Sequence, residues 1–114
     1  RIEGPSKSLV FIPDIDKWSK WQTDIIDIVE NSDYSLLDGT FYDINELPGR
    51  DMSQIPHPFI IETMKLFKHS DKKDSIYFIH LNHTNPALNK DSLEYKKIIG
   101  NGFNITERGN KLSL

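Results

Sequence analysis

Three short apolar runs, each ending at once in side chains that bind metals or move protons, constrain this chain more than anything else in it. Ser8-Leu-Val-Phe-Ile-Pro13 runs into Asp14-Ile-Asp16, and Tyr34-Ser-Leu-Leu37 runs into Asp38-Gly-Thr-Phe41. Ser75-Ile-Tyr-Phe-Ile79 runs into His80-Leu-Asn-His83-Thr-Asn-Pro86. In open α/β sheets, sites lie outside the carboxyl ends of the strands. Three such endings in a chain of 114 residues predict a sheet whose strand ends converge on one site.

The segments between the runs read as helices. Asp16 is placed to cap a helix over Lys17–Glu30, in which Trp18, Trp21, Ile25, Ile28 and Val29 form one stripe at three- and four-residue steps. Pro58 opens a second helix, with Phe59, Ile60, Met64 and Phe67 facing inward. Asp91-Ser-Leu-Glu94 resembles a capping box for a third helix through Ile99, which Gly100-Asn101-Gly102 stops. Gly4-Pro5-Ser6-Lys7 turns an opening hairpin, and Arg108-Gly109-Asn110 turns a closing one between Phe103–Glu107 and Lys111–Leu114. Residues 38–56 carry no period and several Gly and Pro, which marks a long functional loop or a disordered one. The resulting order, β-β-α-β-α-β-α-β-β, predicts an α/β fold in which helices cover one face of a mixed sheet.

Composition narrows the class. With 37% hydrophobic and 27% charged residues, the chain has the balance of a folded globular domain. The net charge is −3, and Lys72-Lys73 and Lys96-Lys97 are its only adjacent basic pairs, which argues against a nucleic-acid surface. The absence of cysteine excludes thiolate sites, so a metal here must take His and carboxylate ligands. No apolar run nears the roughly 20 residues that span a bilayer, and no signal peptide opens the chain. The expectation is a cytoplasmic protein with no membrane partner. Arg1-Ile2-Glu3 reads as the tail of a strand with no initiator Met before it. Residues 1–114 are therefore expected to be the carboxyl-terminal part of a longer protein.

Asp14 follows a strand and a proline, and reads either as a ligand or catalytic carboxylate or as a cap, for which Asp16 is better placed. His80 and His83 lie three apart around one strand end, so strand parity sends them to opposite faces. His83, past the apolar run, is the freer to face a cleft, while His80 is expected to point into or behind the sheet. His57, at a helix start, and Asp38 are candidates on the substrate side, with local hydrogen bonding as the plainer role for His57. Arg50 could hold a carboxylate or phosphate bidentately, against the plainer reading of an Arg50–Asp51 loop pair. The two tryptophans read as core packing.

Taken in order, Leu36-Leu-Asp-Gly-Thr-Phe41, Gly49-Arg-Asp-Met52 and Ile79-His-Leu-Asn-His-Thr-Asn-Pro86 resemble the second half of metallo-β-lactamase-fold hydrolases, and most of all the pyrroloquinoline quinone biosynthesis protein B-like branch. The resemblance covers nearly the whole chain and implies one half of an αββα sandwich. It implies zinc or iron as cofactor, with Asp14 as a bridging ligand and His83 as a terminal one, and these two as the catalytic pair. The histidine-rich ligand cluster of such proteins belongs to their first half, so the amino-terminal half is an expected partner, and this segment alone an inactive one. The same gap would leave an apolar face open to a second copy of the chain. Two departures stand out: many relatives resemble Asn at His83, and their Gly-Arg-Asp-Met is followed by Gly-His where this chain has Ser53-Gln54. The resemblance implies metal-activated water or oxygen chemistry on a small-molecule or peptide-derived substrate: hydroxylation of a tyrosine-derived precursor with iron, or hydrolysis of a phosphodiester or another ester. A reading of another class is a non-catalytic scaffold or interaction half.

Overall fold

A computed structural model describes residues 1–114. Five strands form a single sheet in the order of the chain: β1 (Ile2–Glu3), β2 (Ser8–Ile12), β3 (Tyr34–Asp38), β4 (Ile76–Ile79) and β5 (Asn104–Ile105). β1 pairs antiparallel with β2, while β2, β3, β4 and β5 run parallel, so the sheet is mixed as expected. The register aligns the strand ends. Ile12 lies beside Leu37, and Asp38 beside Ile79. Extending the first pairing by two steps and the second by one puts Asp14, Gly39 and His80 in one row just beyond the carboxyl edge.

Parity along the strands divides the two faces. Leu37, Ile76 and Phe78 point to the side covered by helices α1 (Ile25–Glu30), α2 (Ile60–Leu66) and α3 (Leu93–Gly100). There they join Ile25 and Val29 of α1, Ile60 of α2, and Ile98 of α3 in one core, with Phe67 just past α2 and Phe103 stacked 6.0 Å from Phe78. The opposite face carries Phe11, Leu36 and Tyr77 in a single row across three strands. No helix covers that row, and Phe11 remains 56% exposed. No helix of the structure is long and apolar enough to cross a membrane.

Two expectations fail locally. The helix expected over Lys17–Glu30 is broken: a short 3-10 turn covers Trp18–Lys20, Trp21 is extended, and α1 begins only at Ile25. Its cap is Asp24, whose carboxylate accepts from the Ile26 N–H at 2.8 Å, not Asp16, which accepts from the neighbouring Lys17 N–H. A tertiary bond decides this. The Trp18 indole donates to Thr63 Oγ1 on α2 at 2.8 Å, and the Trp21 ring packs 6.1 Å from it, an arrangement adopted outside a continuous helix. Asp24 then restarts the helix, because its short side chain satisfies an orphan N–H better at an end than inside.

The closing hairpin is absent as well. Asn104 Nδ2 donates to the carbonyls of Asp74 and Ile76, and Thr106 donates from both N–H and hydroxyl to Phe78 O, so β5 lies parallel on β4. Beyond the Glu107–Asn110 turn the chain does not fold back onto β5. It crosses to the other edge of the sheet, where the Ser6 N–H donates to Leu114 O at 3.2 Å. The opening turn, by contrast, forms as expected, while α3 is capped one residue later than the Asp91–Glu94 box implies, by Ser92, whose hydroxyl accepts from the Tyr95 N–H.

The long connection 39–59 has no helix or strand, yet it is not loose. Phe41, Met52 and Phe59 form a second buried cluster with Leu47 and Ile55 against it. The N–H groups of Ile60 and Ile61 donate to the carbonyls of Phe41 and Tyr42, which ties the start of α2, and with it His57, to the end of β3.

Candidate functional site

The centre of the carboxyl edge is Asp38, the last residue of the middle strand and wholly buried. A carboxylate without water must have each oxygen satisfied by donors. Oδ1 accepts from the Thr40 N–H at 2.8 Å and the Thr40 hydroxyl at 2.7 Å. Oδ2 accepts from the Ile15 N–H at 3.1 Å and lies 2.7 Å from His57 Nδ1. Each oxygen thus takes one backbone and one side-chain donor. Asp38 is locked by residues from the end of β2, the turn after β3 and the approach to α2.

This arrangement dictates the tautomer of a neutral His57. A carboxylate oxygen only accepts, so His57 Nδ1 carries a proton, and in the neutral ring Nε2 is left bare. His57 is half-buried, its ring set edge-on to Phe41 at 5.8 Å. Its Nδ1 also lies 3.7 Å from Oδ1 of Asp14, whose side chain is 70% exposed and makes no hydrogen bond. Donor atoms of Asp14, Asp38 and His57 all lie within 4.8 Å of one another.

His80 differs from its expected placement. It is exposed and has φ of 62°, in the left-handed region. Strand parity stops at Ile79, so the rule that would send His80 into the sheet does not reach it. A side chain other than Gly, Asn or Asp in that region costs about 1–2 kcal/mol, and here the turn brings Nδ1 to 3.0 Å from Thr40 Oγ1. The His57 and His80 ring centres are 6.5 Å apart. His80 therefore joins the edge at which Asp14, Asp38 and His57 meet.

His83 is exposed and does not join the group of three. Its neighbours are held elsewhere: Asn82 donates to Thr84 Oγ1, and the Thr84 hydroxyl donates to Glu46 Oε2 at 2.6 Å. Glu46 also accepts from the Tyr42 N–H, and burial pushes its carboxyl above the usual range, partly offset by those two donors. Buried Asn85 donates to the carbonyls of Gly39 and Thr40, clamping the 80–85 turn onto the end of β3. Arg50 is exposed on its loop, and Asp51 accepts from Ser53 rather than pairing with it.

Thr40 was not among the residues singled out from the sequence. The signal for it was present, since Asp-x-Thr at a strand end is a spacing at which the carboxylate turns back to bond the backbone two residues on.

For chemistry, the edge offers one unengaged carboxylate and the imidazoles of His57 and His80, which are hard and borderline donors. Ligands sharing a cation at bonds of about 2.0–2.2 Å sit no more than about 4.4 Å apart. The exposed, unbonded Asp14 side chain can rotate to close the remaining distance. Asp38, with all its acceptor positions used, serves better to orient His57 than to ligate. The residues therefore fit a divalent cation, with too few donors to complete its shell.

A mixed sheet with helices on one face, an open apolar opposite face and a carboxylate–imidazole edge is one αβ layer of the metallo-β-lactamase fold. The particular likeness is to PqqB. The structure superposes on Zn(2+)-bound PqqB from Methylobacterium extorquens with a TM-score of 0.73 and 22% identity, covering 98% of this chain and 42% of that one. In sequence, 95% of the chain is similar to coenzyme PQQ synthesis protein B of Acinetobacter baumannii (strain SDF), at 25% identity over 116 residues and 37% of that protein's length. The chain thus spans about two-fifths of the proteins it resembles. No family profile matches it.

Proposed function

We propose that the chain is the carboxyl-terminal part of a longer, PqqB-like metalloprotein and contributes a carboxylate–imidazole portion of its metal site. The unengaged Asp14 carboxylate, 3.7 Å from the His57 ring that Asp38 holds in place, carries this reading. Asp14 would be the anionic ligand, and an imidazole with a bare Nε2 the neutral one. His57 and His80 stand at that edge, while His83 is the imidazole that the family resemblance favours.

Zinc or iron suits this donor set, and the relative from Methylobacterium is Zn(2+)-bound. A cation held there would supply Lewis acidity toward a substrate oxygen or water. The protein's own part is orientation and proton handling. Asp38 fixes His57 so that its Nε2 can accept a proton at the edge, and Phe41 shields the other side of that ring. Likeness to a coenzyme PQQ synthesis protein favours a small-molecule or peptide-derived substrate. The missing ligands would come from the rest of the protein, packed on the uncovered face at Phe11, Leu36 and Tyr77.

The test is calorimetric titration of zinc and iron(II) into this chain and into the longer protein, with Asp14→Ala, His57→Ala, His80→Ala and His83→Ala made in the latter. Weak binding by this chain and stoichiometric binding by the longer protein, lost on Asp14→Ala, are expected. Stoichiometric metal in the Asp14→Ala protein would refute the reading. The three histidine variants decide which imidazole is the ligand.

A further inference from the structure

We infer that Thr40 is a positioning residue: its hydroxyl links His80 to the Asp38 carboxylate that already holds His57, so that one buried carboxylate sets the tautomer of both imidazoles. A count of protons requires it. The Thr40 hydroxyl has a single proton, and Asp38 Oδ1, 2.7 Å away, can only accept it. With that proton committed, the 3.0 Å contact from Thr40 Oγ1 to His80 Nδ1 must run the other way, from ring N–H to hydroxyl oxygen. His57 donates to the other oxygen of the same carboxylate. Every proton along His57–Asp38–Thr40–His80 therefore points toward Asp38. When neutral, both rings are left with an unprotonated Nε2, the form in which an imidazole ligates or accepts a proton.

The linkage is rigid for identifiable reasons. Thr40 is buried, and its N–H is bonded to the same Oδ1, so its side chain has little freedom to turn away. The Asn82 N–H donates to Thr40 O at 2.9 Å, which holds the turn after His80 against Thr40. The left-handed backbone at His80 follows from the same constraint, since it is the turn that brings Nδ1 to the hydroxyl. A Thr here supplies what Ser or Val supplies only in part: a hydroxyl for the relay and a methyl that restricts its rotamer.

The relay exists in the protein without metal, so its test can fail separately from that of the proposed metal site. Nitrogen-15 correlation spectra of the imidazoles, recorded without metal at alkaline pH on neutral rings, read the tautomers directly. The wild-type protein should show both His57 and His80 protonated at Nδ1. Thr40→Val, which keeps the shape and removes the hydroxyl, should release His80 to the Nε2-protonated form while His57 stays as it was. Thr40→Ser should restore His80. If Thr40→Val fails to fold, Thr40→Ala removes the hydroxyl with less crowding, and the wild-type spectrum is itself a test. A wild-type His80 protonated at Nε2 would overturn the inference, and so would a His80 tautomer unchanged by loss of the hydroxyl. Where the longer protein binds zinc through His80, Thr40→Val should weaken it about 10–100-fold, the usual effect of removing a partner that orients a ligand.

Discussion

Replacing Asp38 by Asn changes one atom, yet the structure makes the cost calculable. Each carboxylate oxygen accepts one backbone N–H, from Thr40 at Oδ1 and from Ile15 at Oδ2. The side-chain donors could adapt, since the Thr40 hydroxyl can rotate and His57 can change tautomer. The two backbone N–H groups cannot. Whichever way the Asn amide is turned, its NH₂ meets a backbone N–H head-on inside a site with no exposure. One buried donor is then left without an acceptor, at about 1–3 kcal/mol, and a hydrogen bond to a charged group is lost as well. The expected loss for Asp38→Asn is about 2–4 kcal/mol, a large fraction of the roughly 5–15 kcal/mol that holds a domain folded. Asp38→Ala, which strands all four donors, should be worse than Asp38→Asn although it is the smaller and less polar side chain. Urea unfolding at neutral pH, followed by tryptophan fluorescence, measures both. Asp38→Asn within about 0.5 kcal/mol of wild type, or Asp38→Ala the more stable of the two, would refute the four-donor account of this carboxylate.

Urea unfolding also checks three further expectations. Ser35 is fully buried with an unpartnered hydroxyl, so Ser35→Ala should be neutral or stabilise by about 1 kcal/mol; a marked loss would mean that the hydroxyl has a partner. A Cβ at Gly39 would lie 2.9 Å from Phe78 Cβ and 3.1 Å from Ile79 O, so Gly39→Ala should cost about 1–3 kcal/mol through overpacking where β3 leaves the sheet. Burial raises the Glu46 carboxyl above its ordinary 4.5. Its contribution is therefore greatest below that value and is lost as pH rises through the higher folded-state value. The stability of wild type relative to Glu46→Gln should fall as pH rises from about 4 to 7, and a difference that is flat or rising would contradict it.

Short-range physics along the chain was enough for the α/β class, the three central strands and the carboxyl edge that they share. An apolar run with the period of a strand, a cap or a turn at its end, and the parity of side chains within it are all local properties. Asp14, Asp38 and His57 were legible as candidates because strand ends and helix starts are where polar groups can face a cleft. Contacts between distant segments supplied the rest. Whether Lys17–Glu30 is one helix depends on a bond from Trp18 to Thr63, 45 residues away, which no periodicity encodes. Whether the last segment paired as a hairpin depended on bonds from Asn104 and Thr106 to carbonyls around β4. His80 was assigned to the wrong side because parity holds only while the backbone is a strand, and a positive φ at one residue resets it. The roles within the site lay furthest from the sequence. Four donors from Ile15, Thr40 and His57 converge on one buried carboxylate, and that convergence, not the residue types, separates the group that orients from the groups left free to bind.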